Sequence, residues 1–369
     1  MTTVKGGALY ASRLARVRQS MKSQLIDAAL LSVGHDLPYL TGYYAMPLER
    51  LTMLVVTHDS VAALIVPRLE APRVTPFDDV FKVVPWGETE NPVEIVAKHL
   101  GGAKRIAIGD QMWARFLVEL MGFVSGVNFV RAVDVVGSMR MAKDAEEIAA
   151  LQAAGAAADR VATQLQAGDI ALVGRTEAQV SADISARLIA EGHDVVNFAI
   201  VAAGENAASP HHHPSSRVIK QDEIVLCDFG GTMNGYCSDI TRCVFIGEPS
   251  RKITSAYSVL RAAQAAGVAA GVVGATCESV DAAARKVIDD AGFGDFFIHR
   301  TGHGIGMEAH EEPYMVSGNK LPIAAGHAFS VEPGIYLPGK WGMRLKTSSL
   351  LQMLVRVDEQ RRSSLVILN

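Results

Sequence analysis

The stretch "EIVLCDFGGTMNGYCSDITRCVFIG", residues 223–247, decides the fold. Its first half alternates with period two, which puts Ile224, Leu226 and Asp228 on one face of a strand. A carboxylate among apolar neighbours is costly unless it is paired or bound to a cation. Eleven residues on, Asp239 repeats the arrangement. Two aspartates on adjacent antiparallel strands can point at one spot, although on this pair alone a turn-capping role is the plainer reading.

Outward from this stretch, further strands are expected at "DVVNFAIVAA" (194–203) and "HAFSVEPGIYL" (327–337). Helices are expected at "TEAQVSADISARLIAEG" (176–192) and "ATCESVDAAARKVIDDAG" (275–292), each opening at Thr and closing at Gly, with a third at 255–272. Helices in pairs beside clustered strands imply an α+β domain with a curved, mainly antiparallel sheet. A long Ala-rich helix over residues 140–165 precedes them and stops near Gly168. Before it, a helix at 11–24 and strands at 27–33, 51–58, 61–67 and 104–110 alternate as in an α/β domain. The expected division is residues 1–137 and 138–369.

The 369 residues carry 35 basic and 39 acidic side chains, a net charge of −4, with no long run of one sign. That excludes an electrostatic footprint for nucleic acid. The N-terminal stretch lacks the apolar core of a signal peptide, and no apolar run approaches a membrane span. Cys227, Cys237, Cys243 and Cys277 have no CxxC spacing. The first three read as small buried hydrophobes in a reducing cytoplasm rather than zinc ligands.

Two segments turn the aspartate pair into a metal hypothesis. "HRTGHGIGMEAHEEP" (299–313) sets His303 between glycines, where backbone can approach a ligand closely, and "FSVEPGIYL" (329–337) puts Glu332 in an apolar strand. Asp228, Asp239, His303 and Glu332 together form a hard, oxygen-rich donor set with one imidazole. Such a set suits Mn²⁺, Co²⁺ or Zn²⁺, and its several carboxylates suit two ions sharing a bridge.

"LCDFGGTMNGYCSDITR" (226–242), "RTGHGIGMEAHEEP" (300–313) and "VEPGIYLPGKWGMR" (331–344) resemble the proline-specific metallopeptidases of the pita-bread fold, prolidase and aminopeptidase P. "YLTGY" (39–43) and "RMAKDAEEI" (140–148) are similar to the amino-terminal, creatinase-like domain of that family and to the start of its catalytic domain. The resemblance implies a dinuclear centre, with Mn²⁺ first and Co²⁺ or Zn²⁺ as alternatives. Asp228 and Asp239 would hold one ion, and Asp239 would bridge to a second held by His303 and Glu332. It implies supporting roles for His211, which would steady the substrate, for His310 near the scissile bond, and for Arg344. The implied substrate is a small peptide with proline at its second position, and the implied assembly is a homodimer. His193, His212 and His213 carry no implied role.

One position departs from the pattern. After "GMR" the family continues with a hydrophobic residue and Glu-Asp, the Glu bridging both ions; here Leu345 is followed by Lys346 and Thr347. An ammonium repels two dications rather than bridging them. One extra G ahead of codon 346 would turn "KTSSLLQM" into Glu-Asp-Ile-Val-Leu-Val-Thr-Asp with allowed codons, which supplies the missing pair and a β-rich strand. A displaced frame over roughly 346–362 is therefore expected. Taken as written, the chain could instead be a peptide-binding pseudoenzyme. A creatinase-like, metal-independent hydrolase is a further alternative, opposed by the retained Asp228, Asp239, His303 and Glu332.

Overall fold

The computed structural model describes residues 2–350 and 366–368. The chain divides into two compact units, Met1–Arg140 and Met141–Asn369.

In the first unit six strands form one mixed sheet: β1 (Ala28–Ser32), β2 (Met53–Thr57), β3 (Ala62–Pro67), β4 (Phe81–Trp86), β5 (Arg105–Ile108) and β6 (Asn128–Arg131). Their spatial order is β4-β3-β2-β1-β5-β6. β1–β2–β3 form an antiparallel meander, whereas β4, β5 and β6 join in parallel after helical crossovers. The helix Pro92–His99 starts where Pro92 follows Asn91, whose side chain accepts from the Val93 and Glu94 amides. It buries Val93 and Val96 against Ala28, Leu30, Val55 and Ile106 of the sheet.

The second unit is α+β with antiparallel sheets, as the sequence implies. β7 (Val195–Ala203), β8 (Ile224–Met233), β9 (Tyr236–Cys237) and β10 (Ile240–Ile246) pair antiparallel in the order β10-β8-β7, with β9 on β8; β17 (Val366–Leu368) joins β10 in parallel. A second sheet contains β11 (Gly302–Gly304), β12 (Glu311–Met315), β13 (Ala328–Val331) and β16 (Thr347–Leu350); β14 (Gly334–Leu337) and β15 (Trp341–Arg344) form a hairpin.

The alternation in β8 separates two cores. Val225, Cys227 and Phe229 face the helices Ala145–Ala167 and Glu177–Ala190, packing on Val161, Leu165, Val180 and Ile184. Ile224 and Leu226 face the other way, toward Leu260, Ala263, Tyr336 and Met343. Asp228 shares that second face, so the strand's period aims a carboxylate at the β14–β15 hairpin.

Three expected boundaries move, each for a local reason. The helix foreseen from Arg140 starts at Ala145, because Asp144 caps it: its carboxylate accepts from the Glu146 and Glu147 amides while Glu147 reaches back to the Asp144 amide. The second strand of the 223–247 stretch breaks at Ser238–Asp239, where the Ser238 hydroxyl takes the Gly231 amide out of the ladder. The strand foreseen over 327–337 breaks at Glu332–Pro333, since proline has no N–H to give a ladder. All four cysteines are buried free thiols, and burial pushes Cys243 up to about 12. Among the described residues no helix is long and apolar enough to cross a membrane.

Candidate metal centre

Each carboxylate and histidine of the expected set is delivered by its own element. Asp228 lies in mid-β8 opposite Thr241 of β10 and is buried. Its Oδ1 accepts from the Thr241 hydroxyl at 2.5 Å and its Oδ2 from Arg344 Nη2 at 2.6 Å. Asp239 occupies the break between β9 and β10, with its side chain fully enclosed.

His303 is the middle residue of β11. A methyl group on Gly302 would run into the Ser330 carbonyl, and one on Gly304 into the Glu312 carbonyl, so both flanking glycines are needed for the close strand packing that holds the ring. His303 Nδ1 lies 3.0 Å from the Gly304 carbonyl. A carbonyl can only accept, so Nδ1 carries the proton and Nε2 is left facing the carboxylates, as in an imidazole set to ligate a metal. Nε2 stands 2.8 Å from Glu332 Oε1 and 3.4 Å from Asp239 Oδ2. Burial opposes a charged ring here, yet these two carboxylates raise His303 to about 9.

Glu332 sits at the β13–β14 break, where the Ser330 hydroxyl donates to Oε1 at 2.9 Å. Burial pushes its carboxyl up; the Lys346 ammonium and His303 outweigh that and hold it well below the usual range. His310 packs its ring on His303 with centroids 3.8 Å apart and keeps an exposed side. Desolvation, then the nearby His303 and Lys346 charges, push His310 down to about 4. Ligand atoms of Asp239, His303 and His310 lie within 4.8 Å of one another, close enough to surround one ion.

Arg344, at the end of β15, ties the site to the histidine loop. Besides Asp228 it donates to the Tyr336 hydroxyl at 2.9 Å and to the Pro210 carbonyl at 3.1 Å. His211, the next residue, is exposed, and its position follows from the anchoring of its neighbours. His212 donates to Glu177 at 2.8 Å, and the same carboxylate accepts from the Ala203 amide, Asn206 and both the amide and hydroxyl of Ser215. Glu177 is fully buried and had no sequence reading beyond the first turn of a helix. His193 is a buried structural residue, bonded to Ser238 at 2.8 Å and near the Leu188 carbonyl at 3.1 Å.

Lys346 enters the same cluster. It is 3 % exposed, with Nζ 2.6 Å from Asp239 Oδ2 and 3.0 Å from Glu332 Oε2. Its backbone bridges to Thr241, and its carbonyl accepts from Arg242 at 3.0 Å. The donor set therefore fits one ion beside His303; a carboxylate shared between two ions is missing, and an ammonium stands in its place. Of the run read as a displaced frame, residues 351–362 lie outside the described residues.

Comparison with known proteins matches these two units to two families. Residues 13–142 match the creatinase/prolidase N-terminal domain, and residues 149–352 match metallopeptidase family M24. A probable dipeptidase PepE of Mycobacterium tuberculosis is 43% identical over 343 residues, 92% of this chain and 91% of that protein. An Xaa-Pro dipeptidase of Lactobacillus helveticus is 36% identical, covering 90% and 92%. Among solved structures, dipeptidase PepE from Mycobacterium ulcerans superposes with a TM-score of 0.89 at 42% identity over 98% of each chain. A prolidase from Thermococcus sibiricus superposes with 0.86 at 34% identity, over 93% and 94%.

Proposed function

Because the chain belongs to metallopeptidase family M24, we propose that it hydrolyses the Xaa-Pro bond of small peptides with proline at the second position. The observation that carries the reading is the convergence of Asp239, His303 and Glu332, from three separate segments, on one buried cluster to which Arg344 joins Asp228. Asp239 and His303 would hold a divalent ion, with Glu332 beside them. When bound, such an ion supplies Lewis acidity, lowering the pKa of water and polarising the scissile carbonyl.

The chain's own residues supply the remainder. With its pKa pushed down to about 4, His310 is neutral at pH 7 and can offer an N–H to the oxyanion that develops on the carbonyl. Arg344 pairs with Asp228 and holds the carbonyl of Pro210, the residue before His211. A prolyl nitrogen in a peptide bond has no N–H, so selectivity must come from the shape of the pocket around the ring. We take Mn²⁺ as the physiological ion, because the donors are mostly carboxylate oxygens. The assembly proposed is a cytoplasmic homodimer with the domain boundary near residue 138; four buried free thiols suit a reducing compartment.

The test is proline release from Gly-Pro and Ala-Pro by purified protein with Mn²⁺, Co²⁺ or Zn²⁺, run beside Ala-Ala. Xaa-Pro substrates should be preferred, and His303→Ala should reduce turnover by on the order of 10²–10³. Absence of proline release with all three ions would sink the assignment.

A further inference from the structure

We propose that this centre takes one divalent ion per chain rather than two, with the Lys346 ammonium standing permanently where the second would be. The inference rests on the metal-centre half of the preceding reading and is independent of its substrate.

The argument is one of charge and space. Asp239 and Glu332 lie against His303 and Lys346 in a buried cluster, and buried Asp228 is tied to it through Arg344. Lys346 Nζ contacts two of these three carboxylates, at 2.6 Å and 3.0 Å, so it sits between the oxygens of Asp239 and Glu332 rather than at their edge. A dication that bridged those two residues would have to share that space with an ammonium, at a separation where like charges repel strongly in a poorly solvated site. With the Arg344 and Lys346 cations counted, the three carboxylates keep one net negative charge; one dication takes the cluster to +1 and a second would take it to +3.

Asp228 supports the same conclusion from the other side. Its two oxygens already accept from the Thr241 hydroxyl and the Arg344 guanidinium, which takes up one acceptor position on each. The remaining donors, Asp239 Oδ and His303 Nε2, lie 3.4 Å apart with Glu332 beside them and belong to a single site. The Lys346 side chain is enclosed and held by both carboxylates, and its backbone is fixed to Thr241 and Arg242.

The experiment is metal counting on the full chain, purified, saturated with Mn²⁺ and desalted, followed by elemental analysis and electron paramagnetic resonance. Wild type should hold one Mn²⁺ per chain with the six-line signal of an isolated ion. Lys346→Glu should hold two, with a spin-coupled spectrum. If Lys346→Glu does not fold, Lys346→Gln, which removes the ammonium and offers a neutral oxygen, should still bind more than one ion per chain. Two ions or none in wild type overturn the proposal, as does a count of one in whichever of these variants folds. A gene sequence reading Glu-Asp instead of Lys-Thr from codon 346 also overturns it. Because no step of this test uses a peptide, its failure is distinguishable from a failure to release proline.

Discussion

Glu177 shows how much a single side chain can organise. Its carboxylate, 0 % exposed, gathers the Ala203 amide, Asn206, His212 and Ser215 around one point and so fixes the loop that carries His211. Removing it strands several buried donors, each costly to leave unpaired. Glu177→Ala should therefore destabilise the protein by about 3 kcal/mol and lower kcat through a loosened loop, whereas Glu177→Gln should lose less of both. Urea melts and steady-state kinetics on the two variants check this; equal losses would contradict it. Residues of this kind are hard to read from sequence, since an acidic residue in a first helical turn is what the helix dipole favours anyway. Asp228, Asp239, His303 and Glu332 stand out in the sequence for the opposite reason, as polar groups beside apolar or glycine residues. Lys346 was legible as a cation in an acidic place, but its wedging between Asp239 and Glu332 is a fact of three dimensions.

Among the elements, the helix Glu177–Ala190 offers the cleanest test of local coding. Thr176 accepts from the Gln179 amide at 3.1 Å while the Gln179 side chain accepts from the Thr176 amide at 2.9 Å. Thr276 holds the corresponding place before the helix Cys277–Asp290 without a side-chain bond. Thr176→Ala should then cost about 1 kcal/mol and Thr276→Ala distinctly less, measured by chemical denaturation. Equal costs would show that the capping box contributes nothing here. Strand alternation and these Thr–Gly brackets made most elements readable in advance. The breaks at Ser238–Asp239 and Glu332–Pro333 were not, because each depends on a partner strand that a one-dimensional pattern does not contain. Both breaks place a carboxylate of the candidate centre, so that centre is assembled at the irregularities of the sheets.

For the molecule as a whole, the metal-free centre makes stability depend on pH. His303 is raised from 6.5 to about 9 by Asp239 and Glu332 against the opposing effect of burial. A raised pKa means its contribution is complete below about 6.5 and is lost as pH rises through about 9. Glu332, held below its ordinary 4.5, acts with the opposite sign and loses its contribution as pH falls below that value. The melting temperature of chelator-treated protein should fall between pH 6.5 and 9 and that of metal-saturated protein should change less, since an ion displaces the His303 proton. Scanning calorimetry across that range reads the difference, and parallel curves with and without metal would refute it.

The ion pair between Arg344 and Asp228 joins residues 116 positions apart, and Lys346 reaches back to Asp239 across a similar span. Chain closure over such distances comes late, after the local hairpins and helices have paid most of their ordering entropy. The centre thus depends on the finished architecture: its side chains meet only where segments more than a hundred positions apart have been brought together.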